Sequence, residues 1–303
     1  MQKVGFDPGI TQQYTGPVRR AINKDGAFNV VRRGTNWRDG HPYLRLVNAS
    51  WPAFFGFVLA GYAAVNAIFA TAYYLLGPDA LKGGFPNRPF LTALYFSSQT
   101  VTTVGFGGIT PNSHGGNILA AFEGLVGLLG FAIATGLLFG RVSRPSARIG
   151  FSERALIAPY QDGWSLQFRI VNRRANSLIE PEATVMLMTV DRSNGRVRRD
   201  YLVLNLERPK VYFFPLTWTI VHPIDNESPL RNKTAEHLAA VEAEFLILVK
   251  AWDETFNQTV HQRYSYRFDE VVWNARFKPA FTVGSDGEMV LDVGEVGSYA
   301  DVG

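Results

Sequence analysis

Two long uncharged stretches limit what this chain can fold into. From Trp51 to Pro78 no residue carries a formal charge, and the first to do so is Asp79. From Ile118 to Gly140 a second apolar run holds Glu123 as its sole ionisable residue. A helix crossing hydrocarbon needs about 20 apolar residues and satisfies all its backbone polar groups within the segment. The competing reading is two buried helices of a large soluble protein. Length and the repeated absence of charge weigh against it. Spanning helices are therefore expected over residues 51–77 and 115–144, within a transmembrane unit of residues 51–145.

Between the spans, residues 90–102 form an amphipathic segment that reads as a helix, and it runs into Thr103, Val104, Gly105, Phe106 and Gly107. A dehydrated cation needs oxygen ligands in place of water, and rings of backbone carbonyls supply them when every carbonyl faces one axis. Glycine at 105 and 107 opens backbone conformations closed to residues with a Cβ. Val104 stiffens the loop, and the Thr103 hydroxyl adds an oxygen at its inner mouth. Residues 103–107 thus read as a potassium selectivity filter, with K+ as permeant ion and no other metal or cofactor expected. One chain supplies one such loop, so a four-walled filter requires a homotetramer with the pore on its symmetry axis.

Basic residues set the orientation. Arg19, Arg20, Lys24, Arg32, Arg33, Arg38 and Arg45 precede the first span, and Arg141, Arg144 and Arg148 follow the second; only Lys82 and Arg88 lie between. Both termini are expected in the cytoplasm, with the loop entering from outside. No signal-peptide pattern is seen, since charged and polar residues precede any apolar run. The expected location is a bacterial inner membrane, crossed more than once.

Along the second span Gly127, Phe131, Thr135 and Phe139 recur every fourth residue, which predicts a stripe along one helix side. Facing a pore axis, four copies of Phe139 would form a hydrophobic constriction near the cytoplasmic end. Packing between helices is the alternative for these aromatics. Gly127 and Gly136 are candidate bending points or close-packing residues.

Residues 146–303 change texture. Short β-branched and aromatic runs recur at 164–171, 183–190, 199–204, 218–222, 244–249 and 280–283, parted by turn signals, and predict an all-β sandwich. Thr234 to Glu242 has helical propensity with Thr234 as a cap. There are no cysteines, and His41, His114, His222, His237 and His261 are scattered without a metal or triad pattern, so an enzyme is not expected. The net charge of +4 is modest and its arginines cluster near the spans, which suits anionic lipid rather than nucleic acid.

Across nearly its whole length the chain resembles the inward rectifier potassium channels of the bacterial (KirBac) type. The likeness rests on Lys24-Asp25-Gly26 with Asn29-Val30, on residues 103–107, on Arg144-Pro145, and on Trp218-Thr219-Ile220-Val221-His222-Pro223-Ile224-Asp225 followed by Ser228-Pro229-Leu230. The resemblance implies a tetramer with two spanning helices, a pore helix and an immunoglobulin-like cytoplasmic domain, together with the broad label of a voltage-gated channel. It divides the chain into an N-terminal segment 1–36, an interfacial slide helix at 37–50, and the two units above. A plain polar linker is the alternative for residues 37–50. In family terms Phe139 is the gate, and Phe131 with Thr135 lines the cavity. Glu180 and the loop containing Asn257 and Gln258 line the cytoplasmic pore. Arg38, Arg45, Arg141, Arg144 and Arg148 contact lipid phosphates. Polyamines, Mg2+ or Ba2+ are the implied pore blockers.

Several positions depart from that pattern. Phe131 stands where strong rectifiers carry an aspartate, and Lys250 where a second cytoplasmic acid is expected, so weak rectification is predicted. Gln99 and Gly108-Ile109 lack the charged pair that braces the filter in relatives. Ser146, Ala147 and Asn48-Ala49-Ser50 replace basic residues, which points to tuning or restraint by anionic lipid rather than activation by phosphoinositides. A membrane-tethered binding module would share the spans and the sandwich but leaves residues 90–107 unexplained. A nonselective or sodium-preferring pore is the nearer rival.

Overall fold

The computed structural model describes residues 9–10, 13–14, 20–34, 41–143, 147–192 and 197–302. Its elements run β1 (Gln13–Tyr14), α1 (Pro42–Asn48), α2 (Trp51–Leu75), β2 (Leu81–Gly83), α3 (Pro89–Val101), β3 (Ile109–Pro111) and α4 (His114–Val142), followed by β4 (Ile149–Phe151), β5 (Ala155–Tyr160), β6 (Gly163–Asn172), β7 (Leu178–Asp191), β8 (Val197–Val203), β9 (Thr217–Pro223), α5 (Ala235–Ala240), β10 (Glu244–Asp253), β11 (Gln258–Arg267) and β12 (Val271–Trp273). Two short hairpin-like pairs close the chain: β13 (Ala275–Phe277) with β16 (Tyr299–Asp301), and β14 (Phe281–Val283) with β15 (Met289–Leu291). The chain divides into two compact units, Arg32–Arg144 and the remainder.

In the helical unit, α2 and α4 run for 25 and 29 residues, about 37 and 43 Å at the helical rise, long enough to cross a bilayer. Most of their large side chains, among them Phe55, Phe57, Ile68, Phe122, Leu129 and Ile133, face away from the subunit. α2 begins at an Ser50 cap with Pro52 in its first turn. It stops two residues short of the sequence estimate, because Gly77 takes a left-handed φ of 94° ahead of Pro78. The Ser113 hydroxyl caps α4, accepting from Gly116 N at 3.0 Å. α3 packs between the two long helices through Phe69, Ala70, Tyr73, Ala93 and Phe96, and β2 pairs with β3 across its flank. Of the expected slide helix only Pro42–Asn48 is helical among the described residues; residues 35–40 lie outside them.

The other unit is a β-sandwich. One sheet has the order β1-β8-β7-β10-β11, the other β12-β5-β6-β4 with β9 on β6. All pairings are antiparallel except β12 on β5. Leu166, Phe168 and Ile170 of β6 meet Val185 and Leu187 of β7 and Phe245, Ile247 and Val249 of β10, all nearly fully buried at the alternate positions that a pleated strand presents to one face. The far face of the β1-β8-β7-β10-β11 sheet is covered by Ala21 and Ile22, which pack on Met188, Tyr201 and Leu246. Residues 20–28 therefore belong to the sandwich unit rather than to a free-standing N-terminal segment. The Ala21 amide donates to both Glu244 carboxylate oxygens at 3.2 and 3.0 Å, and Arg20 pairs with Glu270 at 2.7 Å.

Five of the six strands read from sequence fall inside β6, β7, β8, β9 and β10, with Leu204 just past the end of β8; the sixth, 280–283, begins one residue late at Phe281. Thr234 caps α5. β1, β4, β5, β11, β12, β13, β15 and β16 lie outside the runs read from sequence. The loop expected around Asn257 and Gln258 ends at Asn257, so that Gln258 and Thr259 already belong to β11. Asp253 tightens it by accepting from the Thr255 and Phe256 amides at 3.0 and 3.3 Å.

Candidate pore-lining site

Residues 103–107 follow directly from α3. Thr102 caps that helix, and its amide donates to Ser98 O at 3.3 Å. Thr103, Gly105 and Gly107 take left-handed φ values of 59°, 54° and 80°. Alternating left-handed and ordinary residues turns successive peptide planes the same way round, so carbonyls that would point to opposite sides of a strand come to share one. A β-branched residue at φ 59° is costly, about 1–2 kcal/mol, and persists only where the surroundings impose it. The Val104 and Gly105 amides both donate to the Gln99 carbonyl, at 3.0 and 3.3 Å, and the Thr103 amide to Thr100 O at 3.0 Å. The backbone donors are thereby drawn toward α3. Val104 and Phe106 are exposed within the single subunit, and nothing lies within 4 Å of a Cβ built on Gly105 or Gly107.

The helices around this segment are pinned to α3 at several points. Tyr62 Oη of α2 lies 2.6 Å from Ser98 Oγ. On α4, Gly127 is buried, and a Cβ there would overlap the Val101 carbonyl oxygen. This corrects the expected stripe. A period of four advances 40° per step beyond a full turn on a 3.6-residue helix, so Gly127 has turned onto α3 while Phe131, Thr135 and Phe139 remain exposed. Gly136 has open space around it in the subunit. An apolar cleft of about 660 Å³ lies between α2 and α4, lined in part by Phe57, Tyr62, Val65, Thr103 and Phe131.

Arg141 is placed differently from the expectation of a free lipid ligand. Its guanidinium donates to the carbonyls of Leu46 and Val47 at 3.2 and 3.1 Å and to that of Ala49, the last carbonyls of α1. It also stacks 4.4 Å from the Trp51 ring centroid and 5.3 Å from that of Phe54. The side chain ties the end of α1 to the last turn of α4. Arg45 is exposed in the last turn of α1, and Arg148 is exposed in the sandwich unit. Arg38 and Arg144 lie outside the described residues.

In the sandwich, Glu180 is exposed, left-handed at φ 50°, and paired with Lys210 at 2.6 Å. Asn257 occupies a left-handed turn position at φ 51°, next to exposed Gln258. Lys250 lies across from Glu182 of β7 and His261 of β11. His222 is buried: Nδ1 is 2.6 Å from Asn205 O and Nε2 is 2.8 Å from Ser228 Oγ, which makes it a structural hydrogen-bonding residue joining two loops. Burial lowers its pKa from the ordinary value, against the Asn205 carbonyl and Asp225, which raise it.

Residues 149–302 match the inward rectifier potassium channel C-terminal domain family, and residues 61–144 match the ion channel family. The inward rectifier potassium channel Kirbac3.1 of Paramagnetospirillum magnetotacticum is 37% identical over 280 residues, covering 91% of this chain and 94% of its own. The chain belongs to the inward rectifier potassium channel family. A human member, G protein-activated inward rectifier potassium channel 3, is 26% identical over 324 residues, covering 96% of this chain and 80% of its own. Among solved structures, the sporulation control protein Spo0M of Bacillus subtilis, at 10% identity and a TM-score of 0.25 over 43% of this chain and 50% of its own, is too distant to bear on the fold. As an inward rectifier the protein is a membrane ion channel and not an enzyme. The voltage-gated label does not stand for it: α2 carries no basic residue and α4 only Arg141 in its final turn, so neither span has the arginine series of a voltage sensor.

Proposed function

We propose that four copies of this chain conduct K+ passively across a bacterial inner membrane, each contributing residues 103–107 to one filter on the symmetry axis. Both termini face the cytoplasm. The observation that carries this reading is the left-handed alternation at Thr103, Gly105 and Gly107, with the Val104 and Gly105 amides gathered on the Gln99 carbonyl. Carbonyls freed from internal hydrogen bonding on one side are the ligands a dehydrated cation needs. Phe139, apolar and exposed near the inner end of α4, is the gate. Phe131 and Thr135 line the cavity, and Gly127 and Gly136 shape the gating helix. Glu180, Asn257 and Gln258 line the cytoplasmic path. Rectification is weak, because Phe131 offers no charge to polyamines or Mg2+, and Lys210 neutralises Glu180. Ba2+ blocks the filter. Anionic lipid tunes the channel through Arg38, Arg45, Arg144 and Arg148, whereas Arg141 is engaged with α1.

The test is potassium-gradient-driven rubidium uptake into liposomes holding the purified tetramer, with barium as blocker, a parallel sodium assay and Gly105→Ala as control. Barium-sensitive uptake of rubidium but not sodium, lost in Gly105→Ala, is the expected result. Equal sodium uptake would establish a nonselective pore instead.

A further inference from the structure

Glu123 is fully buried in a spanning helix whose one other formal charge is Arg141 in its last turn. A carboxyl group in such a place is costly unless its oxygens are matched, and an isolated one marks a function more often than a fold requirement. Both oxygens are matched here, from two different elements. Ser97 Oγ of α3 donates to Oε1 at 2.5 Å, and Tyr73 Oη of α2 donates to Oε2 at 2.7 Å. The network extends to Asn66, whose Oδ1 lies 3.2 Å from Ser97 Oγ and whose Nδ2 donates to the Tyr62 carbonyl at 2.8 Å. Ser97, Tyr73 and Asn66 are themselves buried to within a few per cent.

The position of Ser97 gives this network its consequence. It stands two residues before Gln99, whose carbonyl holds the Val104 and Gly105 amides. Displacing Ser97 would displace that carbonyl within the same helical turn, and with it the backbone of residues 103–107. Gln99 on one side of the loop and Gly108-Ile109 on the other carry no charge with which to brace it. We infer that Glu123, acting through Ser97 and Tyr73, is a positioning residue that braces the filter backbone from α4, in place of a brace within the pore helix itself. It touches no ion, and the inference rests on residues 103–107 being the filter.

Amide hydrogen exchange on the full-length tetramer, read in peptides covering residues 99–107, tests this alongside the rubidium and sodium uptake ratio. Glu123→Gln and Tyr73→Phe are the variants. Thr71→Ala is the control, because the Thr71 hydroxyl bonds only its own helix, at Ala67 O. Tyr73→Phe deletes one oxygen and leaves its ring against Phe96, so it keeps the test sharp if Glu123→Gln assembles poorly. Both variants are expected to speed exchange in 99–107 about tenfold, the size of one lost well-made buried hydrogen bond, with peptides of β10 unchanged. The rubidium over sodium ratio falls with them, and the double variant is no worse than the more severe single one, as for members of one network. Wild-type exchange in Tyr73→Phe and Glu123→Gln, or faster exchange throughout including β10, would overturn the inference. A wild type that passes no rubidium speaks against the conduction reading, while the exchange comparison still decides the brace.

Discussion

Gly127 of α4 lies against the carbonyl of Val101, the last residue of α3, so closely that a side chain on it would collide with that oxygen. A glycine whose position in sequence suits either a bending point or a close-packing residue is thus the point where α4 meets the end of α3. Its backbone approach supports residues 103–107 from one side, as the Glu123 carboxyl group supports Ser97 from the same helix.

Gly127→Ala should therefore destabilise the folded tetramer by about 1–3 kcal/mol through overpacking, since the obstructing atom is backbone and cannot rotate aside. Gly136→Ala, with open space around it in the subunit, should be neutral or stabilising by up to about 1 kcal/mol through helix propensity. Thermal dissociation of the purified tetramer compares the two. Equal effects would mean that the Val101 contact carries no weight.

Arg141→Lys keeps the charge and loses the fork. A lysine cannot serve three carbonyls and stack on Trp51 as the guanidinium does. The variant should lose about 1.5–3 kcal/mol of coupling between α1 and α4, seen as faster amide exchange in Pro42–Asn48 and altered rubidium flux. Were Arg141 merely a positive charge near lipid, Arg141→Lys would match the wild type.

Phe131→Asp should strengthen rectification. Four carboxylates facing the cavity would hold a polyamine, and spermine sensitivity of rubidium uptake should rise at least about tenfold for a gain of a single net charge-assisted contact. Steep polyamine block of the unmodified channel at low micromolar concentration would show that another group does this already.

Acid should loosen the sandwich in two stages. His222 is held neutral by burial, with a folded pKa below its ordinary 6.5, so the unfolded chain takes up a proton that the folded one refuses. Stability is full above that value and falls as pH drops below 6.5. Glu270 behaves as a depressed acid. Burial opposes its ionisation, but hydrogen bonds from Arg20, the Arg267 amide and Lys24 outweigh it and bring the pKa from 4.5 to about 2. Its contribution is present above about 4.5 and is lost as pH falls toward 2. Thermal unfolding of the tetramer between pH 7.5 and 3.5 should show the first decline beginning near 6.5. Glu270→Gln should flatten only the acid part, through loss of the Arg20 and Lys24 pairs.

Strand periodicity made much of the sandwich legible, because β6, β7 and β10 place every second side chain in one core, and the alternation is written in the residues themselves. β11 is less legible for a local reason: Val260, Tyr264 and Tyr266 are its buried apolar positions, but the polar Gln258, His261, Gln262, Arg263 and buried Ser265 break the apolar signal. The role of Arg141 escaped for another. In sequence it is one of three arginines following a span, indistinguishable from ordinary cytoplasmic bias, and only the approach of α1 reveals what its guanidinium bonds.

The sequence alone determined the two spans, the glycine-punctuated loop between them and the family, since each depends on residue type at neighbouring positions: uninterrupted hydrocarbon, the absence of Cβ at Gly105 and Gly107, and a motif of contiguous residues from Trp218 to Asp225. Only the tertiary structure decided where Gly127 faces, what Arg141 binds and how Glu123 is satisfied. Those outcomes depend on contacts between residues 26 to 95 positions apart, brought together by helix packing that no local pattern records.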